Sequence, residues 1–344
     1  MNARKTASAG ISRRQAVVGL GAAGVVLAAP AIVRAQDRYL KPIVAGLNAK
    51  EGDPTYESIS RIAPILKDKH GVELEVRVHP SSTLGTDLSL MEAVQTGFVD
   101  ITSNATLQFQ SLSQALTFID LPYAVTDWDM GLKLFKSDLW TQQAKKFEEE
   151  SNLVVLPPVG GGGFRLLLNN VRPLPSPDAV DGLKIRSTQA AADIGLIKAW
   201  GANPTPLAWT ETYNALQTGL VDGMHVQPIW TYVFNMHEVL KYATQVDALF
   251  AVQLQVMNKN TFMSMPEGIR EKFMLAAWEA ADQANQMDRD LEGTTMGTLR
   301  QAGMEIYNPN ADEKAAWRLK GEALWSELAS NIDATVLDGI RALR

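Results

Sequence analysis

Apolar and polar positions along this chain switch between two periods, and the switching predicts strands and helices in alternation. Pro42–Leu47 ("PIVAGL") is a short apolar run, predicted as a strand that ends at Asn48. Tyr56–Lys69 carries Ile59, Ile62, Ala63 and Leu66 at helical spacing, with Pro54 near its start. "VELEVRV" (72–78) alternates strictly, as a half-buried strand does. A turn at "HPSSTLG" leads into "DLSLMEAVQT", a helix with Leu88, Met91 and Val94–Gln95 on one face, and then through Gly97 into "FVDIT".

The same grammar continues. "NLVVLPP" (152–158) and "FRLLLNN" (164–170) read as strands separated by Gly160–Gly163. "DGLKIRS" (181–187) is a strand, followed by a helix over "QAAADIGLIKAWG" that stops at Gly201. "QVDALFAVQLQVMN" (245–258) is long, apolar and β-rich. Ser264 and Glu267 have the spacing of a capping box, and the helix they open runs for roughly 35 residues toward Gly303. The C-terminal "ADEKAAWRLKGEALWSELASNI" is amphipathic. Strands alternating with helices predict an α/β fold.

One phrase occurs twice. "AVQTGFVDI" (93–101) and "ALQTGLVDG" (215–223) agree at six of nine positions. Each reads as a helix running into a left-handed glycine and then a strand, Phe98–Thr102 in one copy and Leu220–Gly223 in the other, with Thr210 placed to cap the second helix. Two readings stand: independent use of a common αβ turn, or duplicated lobes. Since ligands of open α/β sheets collect at the carboxyl ends of strands, two related lobes presenting those ends to each other would enclose a cleft.

Composition narrows the possibilities. The 344 residues are 46% hydrophobic, enough for one or two packed cores, and contain no cysteine, which excludes disulfides, thiolate catalysis and cysteine metal sites. Residues 1–35 hold an arginine pair (Arg13, Arg14), an uncharged run from Ala16 to Val33, and Val33-Arg34-Ala35. This is the layout of an export signal of twin-arginine character cut after Ala35, although Ala16 stands where that signal usually has Phe. An uncleaved anchor is the competing reading. Gly19, Gly21 and Gly24 match the dinucleotide fingerprint in form only, because no βαβ unit surrounds them. Cleavage would leave 27 basic and 38 acidic residues, a net of −11 that argues against a nucleic-acid partner.

Catalytic constellations are scarce. There is no G-x-S-x-G, no H-E-x-x-H and no phosphate loop, and His70, His79, His225 and His237 lack metal-ligand spacing, so no cofactor or metal is expected. His225 follows the second repeated strand, within reach of a ligand. Asp100 and Asp222 are either paired carboxylates of an exported α/β enzyme or equivalent structural members of the repeat. Arg165 begins an apolar strand and Arg186 ends one. An arginine directed into a partly buried cleft needs an acid, either an internal carboxylate or an anionic solute. Trp209 and Trp230 could cover the organic body of such a solute.

The stretches "GLKIRS…WGANPTPLAWTETYNALQTGLVDG", "HPSSTLGTDLSLMEAVQTGFVDIT" and "FIDLPYAV" (118–125) resemble the substrate-binding proteins of TRAP transporters, and the likeness runs in order over residues 40–330. The resemblance implies a two-lobed periplasmic binding protein fold, the lobes joined by crossing strands and a long helix. Residues 36–160 would form mainly lobe 1 and 161–250 mainly lobe 2, with 251–344 packing on both. It implies a monomeric periplasmic receptor that closes on a small organic acid and hands it to the membrane permease subunits. Arg186 falls on the family's carboxylate-binding arginine, Arg165 on its auxiliary arginine and Trp209 on its aromatic position. Asn48, Asn104 and Thr106 fall on first-lobe contacts. After Val-Asp-Gly many members have Q-E-N-P or E-W, whereas this chain reads Met224-His225-Val226-Gln227-Pro228, so Val226 and Gln227 occupy the usual Asn or Trp position and the step after it. A binding protein of an ATP-driven importer, which shares the two-lobed plan, is the nearest alternative.

Overall fold

The computed structural model describes residues 37–344; the export segment and its glycines lie outside them. In chain order the first half gives β1 (Asp37–Arg38), β2 (Ile43–Leu47), α1 (Pro54–Ser60), α2 (Ile62–His70), β3 (Val72–Glu73), β4 (Val76–His79), α3 (Asp87–Thr96) and β5 (Ile101–Ala105). Helices α4 (Trp128–Phe135) and α5 (Asp138–Ser151) then lead to β6 (Leu153–Val155). The second half gives β7 (Leu166–Asn169), β8 (Lys184–Ser187), α6 (Ala191–Trp200), β9 (Asn203–Pro206), α7 (Trp209–Gln217), β10 (Gly223–Val226), α8 (Pro228–Val233) and β11 (Tyr242–Thr244). The chain returns as β12 (Gln253–Asn258), α9 (Lys259–Ser264), α10 (Glu267–Gln301) and β13 (Glu305–Tyr307), and ends in α11 (Ala311–Glu322), α12 (Trp325–Leu328) and α13 (Ala334–Ala342).

Two sheets organise these elements, in strand orders β4-β2-β5-β12-β6 and β9-β8-β10-β7-β11-β13. In each, three parallel strands linked by helices meet one strand of opposite direction: β2 is parallel to β4 and β5, with β12 antiparallel to β5; β8 is parallel to β9 and β10, with β7 antiparallel to β10; beyond it β6 in the first sheet, and β11 and β13 in the second, reverse direction again. The repeated phrase sits at the same station of both. Asp100 exchanges backbone and side-chain bonds with Val44 (N to Val44 O 2.8 Å; Val44 N to Oδ2 2.9 Å), and Asp222 does the same with Lys184 (2.7 and 2.8 Å). The antiparallel neighbours match as well, Asn258 N donating to Asp100 O and Asn170 N to Asp222 O. Each aspartate thus starts a parallel strand pair, at the end remote from the strand carboxyl termini. Gly97 and Gly219 make the preceding turns at φ +78° and +72°, a region costly for any side chain.

Several local expectations need correcting. The repeated strands begin at Ile101 and Gly223, later than their apolar residues suggested, because Phe-Val-Asp and Leu-Val-Asp are spent on the turn. In α3 the buried residues are Leu90, Met91 and Val94, while Leu88 is exposed. The alternating segment 72–78 breaks into β3 and β4. Helix α7 starts at Trp209, so Thr210 lies inside it, and Glu211 accepts the Ala208 N–H. No capping box forms at Ser264 and Glu267: α9 ends at Ser264, Pro266 takes the N-cap of α10, and the Ser264 hydroxyl donates to the Thr261 carbonyl.

Helices cover both faces of both sheets. In β7, Leu166 and Leu168 enter one core with Met224 and Leu299, while Leu167 enters the opposite one with Trp200 and Trp317, the alternation that a pleated strand imposes. Helix α10 spans 35 residues, about 50 Å, and serves both lobes. Its Ile269, Phe273 and Ala276 pack with Ile43 and Leu66, and its Met296 and Leu299 pack with Leu168 and Trp230. Two of the connections between the sheets, β6 to β7 and β11 to β12, touch through antiparallel bridges Val159–Gln253 and Phe164–Phe250, and α10 makes a third on the way from β12 to β13.

Candidate ligand-binding site

The carboxyl ends of the parallel strands face one enclosed space of about 30 Å³. Asn48 follows β2 and Ala105 ends β5; Arg186 lies in β8 with Thr188 just beyond it; His225 and Val226 end β10. Arg165 and Gln253 come from the crossing segments, and Trp209 and Trp230 wall the second-lobe side. A larger depression, about 590 Å³, lies on the β1–β3 edge between Arg38, Lys67 and Glu73. It is open, and it is lined by the ends of the short β1 and β3 rather than by the carboxyl ends of the parallel strands of the two main sheets.

Arg186 is 3% exposed, and no carboxylate of the described residues lies within 4.0 Å of its guanidinium nitrogens. Its Nε and one Nη2 hydrogen go to the Leu207 carbonyl at 3.2 and 2.9 Å, leaving the other three of the group's five N–H donors unclaimed. The guanidinium carbon lies 5.6 Å from the Trp209 ring centroid, and Trp209 is itself wedged between Trp230 and Phe234 at 5.0 and 4.9 Å. Burial pulls the Arg186 guanidinium down to about 10, against the pull of Asp193 and Asp87, so it remains a cation at neutral pH.

Arg165 is differently placed. Its Nη1 lies 3.8 Å from Asp193 Oδ1, and its buried Nε has no partner. Burial alone would raise Asp193, but the His225 hydrogen bond and the Arg165 charge outweigh it and hold the carboxyl well below the ordinary range. Burial pushes His225 down despite Asp193. His225 is therefore neutral at pH 7, with its Nδ1–H on Asp193 at 3.4 Å and a bare Nε2 that finds no protein donor.

The first lobe contributes acceptors. Asn48 Nδ2 donates to Asp87 Oδ1 at 2.9 Å, which leaves Asn48 Oδ1 buried and unpartnered. Asp87 opens α3 after the Thr86 cap, and its Oδ2 receives only a long bond from Gln108 Nε2, 3.4 Å. Burial raises Asp87 against the Asn48 bond and the Arg186 charge. Lys50 ties the lobes together across the site: its Nζ donates to Val233 O at 2.6 Å and lies 4.6 Å from the Phe234 centroid.

Of the residues singled out from the sequence, Arg186, Arg165, Trp209, Asn48, His225 and Gln227 line this space. Asn104 and Thr106 do not. Asn104 Nδ2 donates to the Asp87 carbonyl, and the Thr106 hydroxyl donates to Asp120 Oδ1, 2.5 Å, leaving Ala105 between them to face the cavity. Gln227 is fixed by its bond to Gly161 O, 2.5 Å, and the glycine run makes room for it, since a Cβ on Gly162 would lie 2.8 Å from Gln227 Cγ. Sequence reasoning missed Asp87, Gln108, Thr188 and Gln253. Asp87 offered one signal, an acid within the first-lobe stretch that resembled a ligand-binding family, but an acid in a helix's first turn is commonplace. Tyr232, two residues beyond Trp230, is 43% exposed and stacks on His237 outside the site. Asp100 and Asp222 are spent on the strand-start bonds described above.

The profile of the family described as bacterial extracellular solute-binding protein, family 7, matches residues 45–331. The C4-dicarboxylate-binding periplasmic protein DctP of Rhodobacter capsulatus is 28% identical over 330 residues, covering 95% of this chain and 96% of the relative. The TRAP periplasmic solute-binding protein of Sulfurospirillum deleyianum, solved with bound succinate, superposes with a TM-score of 0.82 at 23% identity, over 88% of this chain and 99% of that one. The corresponding protein of Citrobacter koseri, solved with bound D-glucuronate, gives 0.83 at 20% identity, over 89% and 100%.

Proposed function

We propose, from the premise that the chain belongs to the bacterial extracellular solute-binding proteins of family 7, that it is a periplasmic receptor which closes on a small organic acid and delivers it to the permease of a TRAP transporter. The observation that carries the reading is Arg186: a buried guanidinium with three free donors and no internal carboxylate, facing a cavity at the strand ends. A buried guanidinium with unfilled N–H donors is costly, and an incoming carboxylate fills them while using the planar fork. The relatives solved with succinate and D-glucuronate hold acids, which supports the same chemistry here.

In this reading the solute's carboxylate meets Arg186, with Arg165 held alongside by Asp193 to reinforce the positive end. Groups from the other lobe, Asn48 and Asp87, meet the remainder of the solute. A ligand that touches both lobes favours the closed form by its extra contacts there, as in hinge closure generally. No step changes covalent bonds, and the relatives are solute-binding proteins rather than enzymes. Export by the twin-arginine route, lobes spanning residues 36–160 and 161–250, and action as a monomer without nucleic acid complete the proposal.

Thermal unfolding against a panel of organic acids tests it. A ligand at 100 times its dissociation constant adds about 2.7 kcal/mol to stability, a visible rise in midpoint. At least one acid should give that rise and its methyl ester should not. Rises with neutral sugars or cations, and none with acids, would overturn the assignment.

A further inference from the structure

The cavity is chemically two-ended. On the second-lobe side stand two guanidinium groups, Arg186 and Arg165. On the first-lobe side stand Asp87 and the Asn48 carbonyl oxygen, which can only accept. The orientation of the Asn48 amide is fixed, because its Nδ2 must be the atom facing the Asp87 carboxylate. Among the described residues the sole donor to Asp87 Oδ2 is Gln108, at a marginal 3.4 Å, so this carboxylate retains unfilled acceptor sites. The charges also balance before any solute arrives: Asp193 lies against Arg165 and Asp87 faces the cavity that Arg186 faces.

These facts bear on which acid would fit. A single carboxylate can lie on Arg186 at one end of the space. A second carboxylate at the other end would face the Asp87 charge and the Asn48 oxygen, with the Gln108 side-chain amide as the donor beside them, and would leave the Asn48 oxygen and the open site on Asp87 unfilled. A hydroxyl or ammonium group there would fill them. Discrimination built on buried acceptors is strong, since a ligand lacking the donor strands them out of water. The Trp209, Trp230 and Val226 walls favour an apolar link between the two ends.

Resting on the carboxylate reading above, we propose that Asp87 and Asn48 make this receptor selective for a small monocarboxylate carrying a hydrogen-bond donor at its far end, and make it reject dicarboxylates. This separates it from the C4-dicarboxylate-binding relative and from the succinate-bound structure. The acid end is read by the second lobe and the donor end by the first, so the solute that closes the cleft must carry both.

Calorimetric titration with four acids of equal carbon number isolates the far end: butanoate, 4-hydroxybutanoate, 4-aminobutanoate and succinate, in mildly alkaline buffer. The purified protein should bind one of the two donor-bearing acids at least about tenfold more tightly than butanoate and succinate, and the tighter of the pair identifies hydroxyl or ammonium. In Asp87→Asn the preference for the donor-bearing acid over butanoate should fall by about tenfold and succinate should gain about tenfold relative to butanoate, whose own binding is the reference for the Arg186 end. Succinate binding as tightly as the donor-bearing acids, or an unchanged ratio in Asp87→Asn, would overturn this inference and leave the carboxylate reading standing. Failure of all four acids to bind at high concentration would overturn this inference, and the carboxylate reading would then be decided by the wider acid panel described above.

Discussion

Replacing Arg186 by Met separates a residue kept for a ligand from one kept for the fold. Burial brings its guanidinium down to about 10, which amounts to about 3 kcal/mol working against the charged form in the empty protein. Met fills a similar volume without the charge, so that penalty vanishes. Against the gain stands the Leu207 carbonyl, which loses both its guanidinium bonds and is left short of a partner, costing about 1–3 kcal/mol. The two terms nearly cancel, and the ligand-free variant should unfold in urea within about 1 kcal/mol of the parent, with an unchanged slope. Breaking an internal buried ion pair would instead cost about 3–5 kcal/mol. Calorimetry on the same samples, with whichever acid raises the parent's midpoint, should show a loss of about 2–5 kcal/mol in binding, at least thirtyfold. A variant destabilised by more than 3 kcal/mol that still binds the acid would refute the reasoning and make Arg186 a structural residue.

Three further outcomes follow. Asp120, pushed up to about 7 by burial, holds its proton more tightly folded than unfolded. Stability from this group is therefore greatest at low pH and falls as pH rises from about 4 through 7, so Asp120→Asn should flatten the fall in thermal midpoint between pH 5 and pH 8. Asp100→Ala should cost about 2–3 kcal/mol in urea unfolding, because buried Asp100 also holds Thr261 Oγ1 at 2.6 Å and Lys41 at 3.2 Å. Asp222→Ala, with one side-chain bond to Lys184 N, should cost about 1 kcal/mol, and neither change should alter acid binding. Gly162→Ala places a Cβ 2.8 Å from Gln227 Cγ at φ +97°, and should weaken acid binding at least threefold while costing about 1–3 kcal/mol of stability; binding at full strength would show that the Gln227 placement is dispensable.

The repeated nonapeptide was the most informative stretch in the sequence, and the reason is physical. A left-handed glycine and an aspartate that bonds the neighbouring strand's N–H are demanded by backbone geometry, so both lobes keep the same letters at positions 97, 100, 219 and 222. Arg186 and Arg165 were legible because a charged residue in an apolar strand must be explained. Asp87 was not, since its importance comes from what β2 and β8 bring near it, and that is long-range information. The misplaced helix starts share one cause: Thr210 and Ser264 have capping chemistry, but the chain entered those helices through Ala208 and Pro266. Asn104 and Thr106 were right in neighbourhood and wrong in direction. Strand alternation sends the side chain between them, Ala105, into the cavity and turns theirs toward Asp87 and Asp120.

The position of β12 has a consequence for biogenesis. It sits inside the first sheet, paired on one side with β5 and on the other with β6, yet it is made roughly 100 residues after β6. At about 5–20 residues per second on the ribosome, the first lobe waits on the order of 5–20 seconds with a gap in its sheet and two strand edges bare. Fragments ending near residue 160 should for that reason be sticky rather than half-functional, and neither half should fold alone. Completion of the whole chain, rather than of either lobe, is the event that makes this protein safe to release.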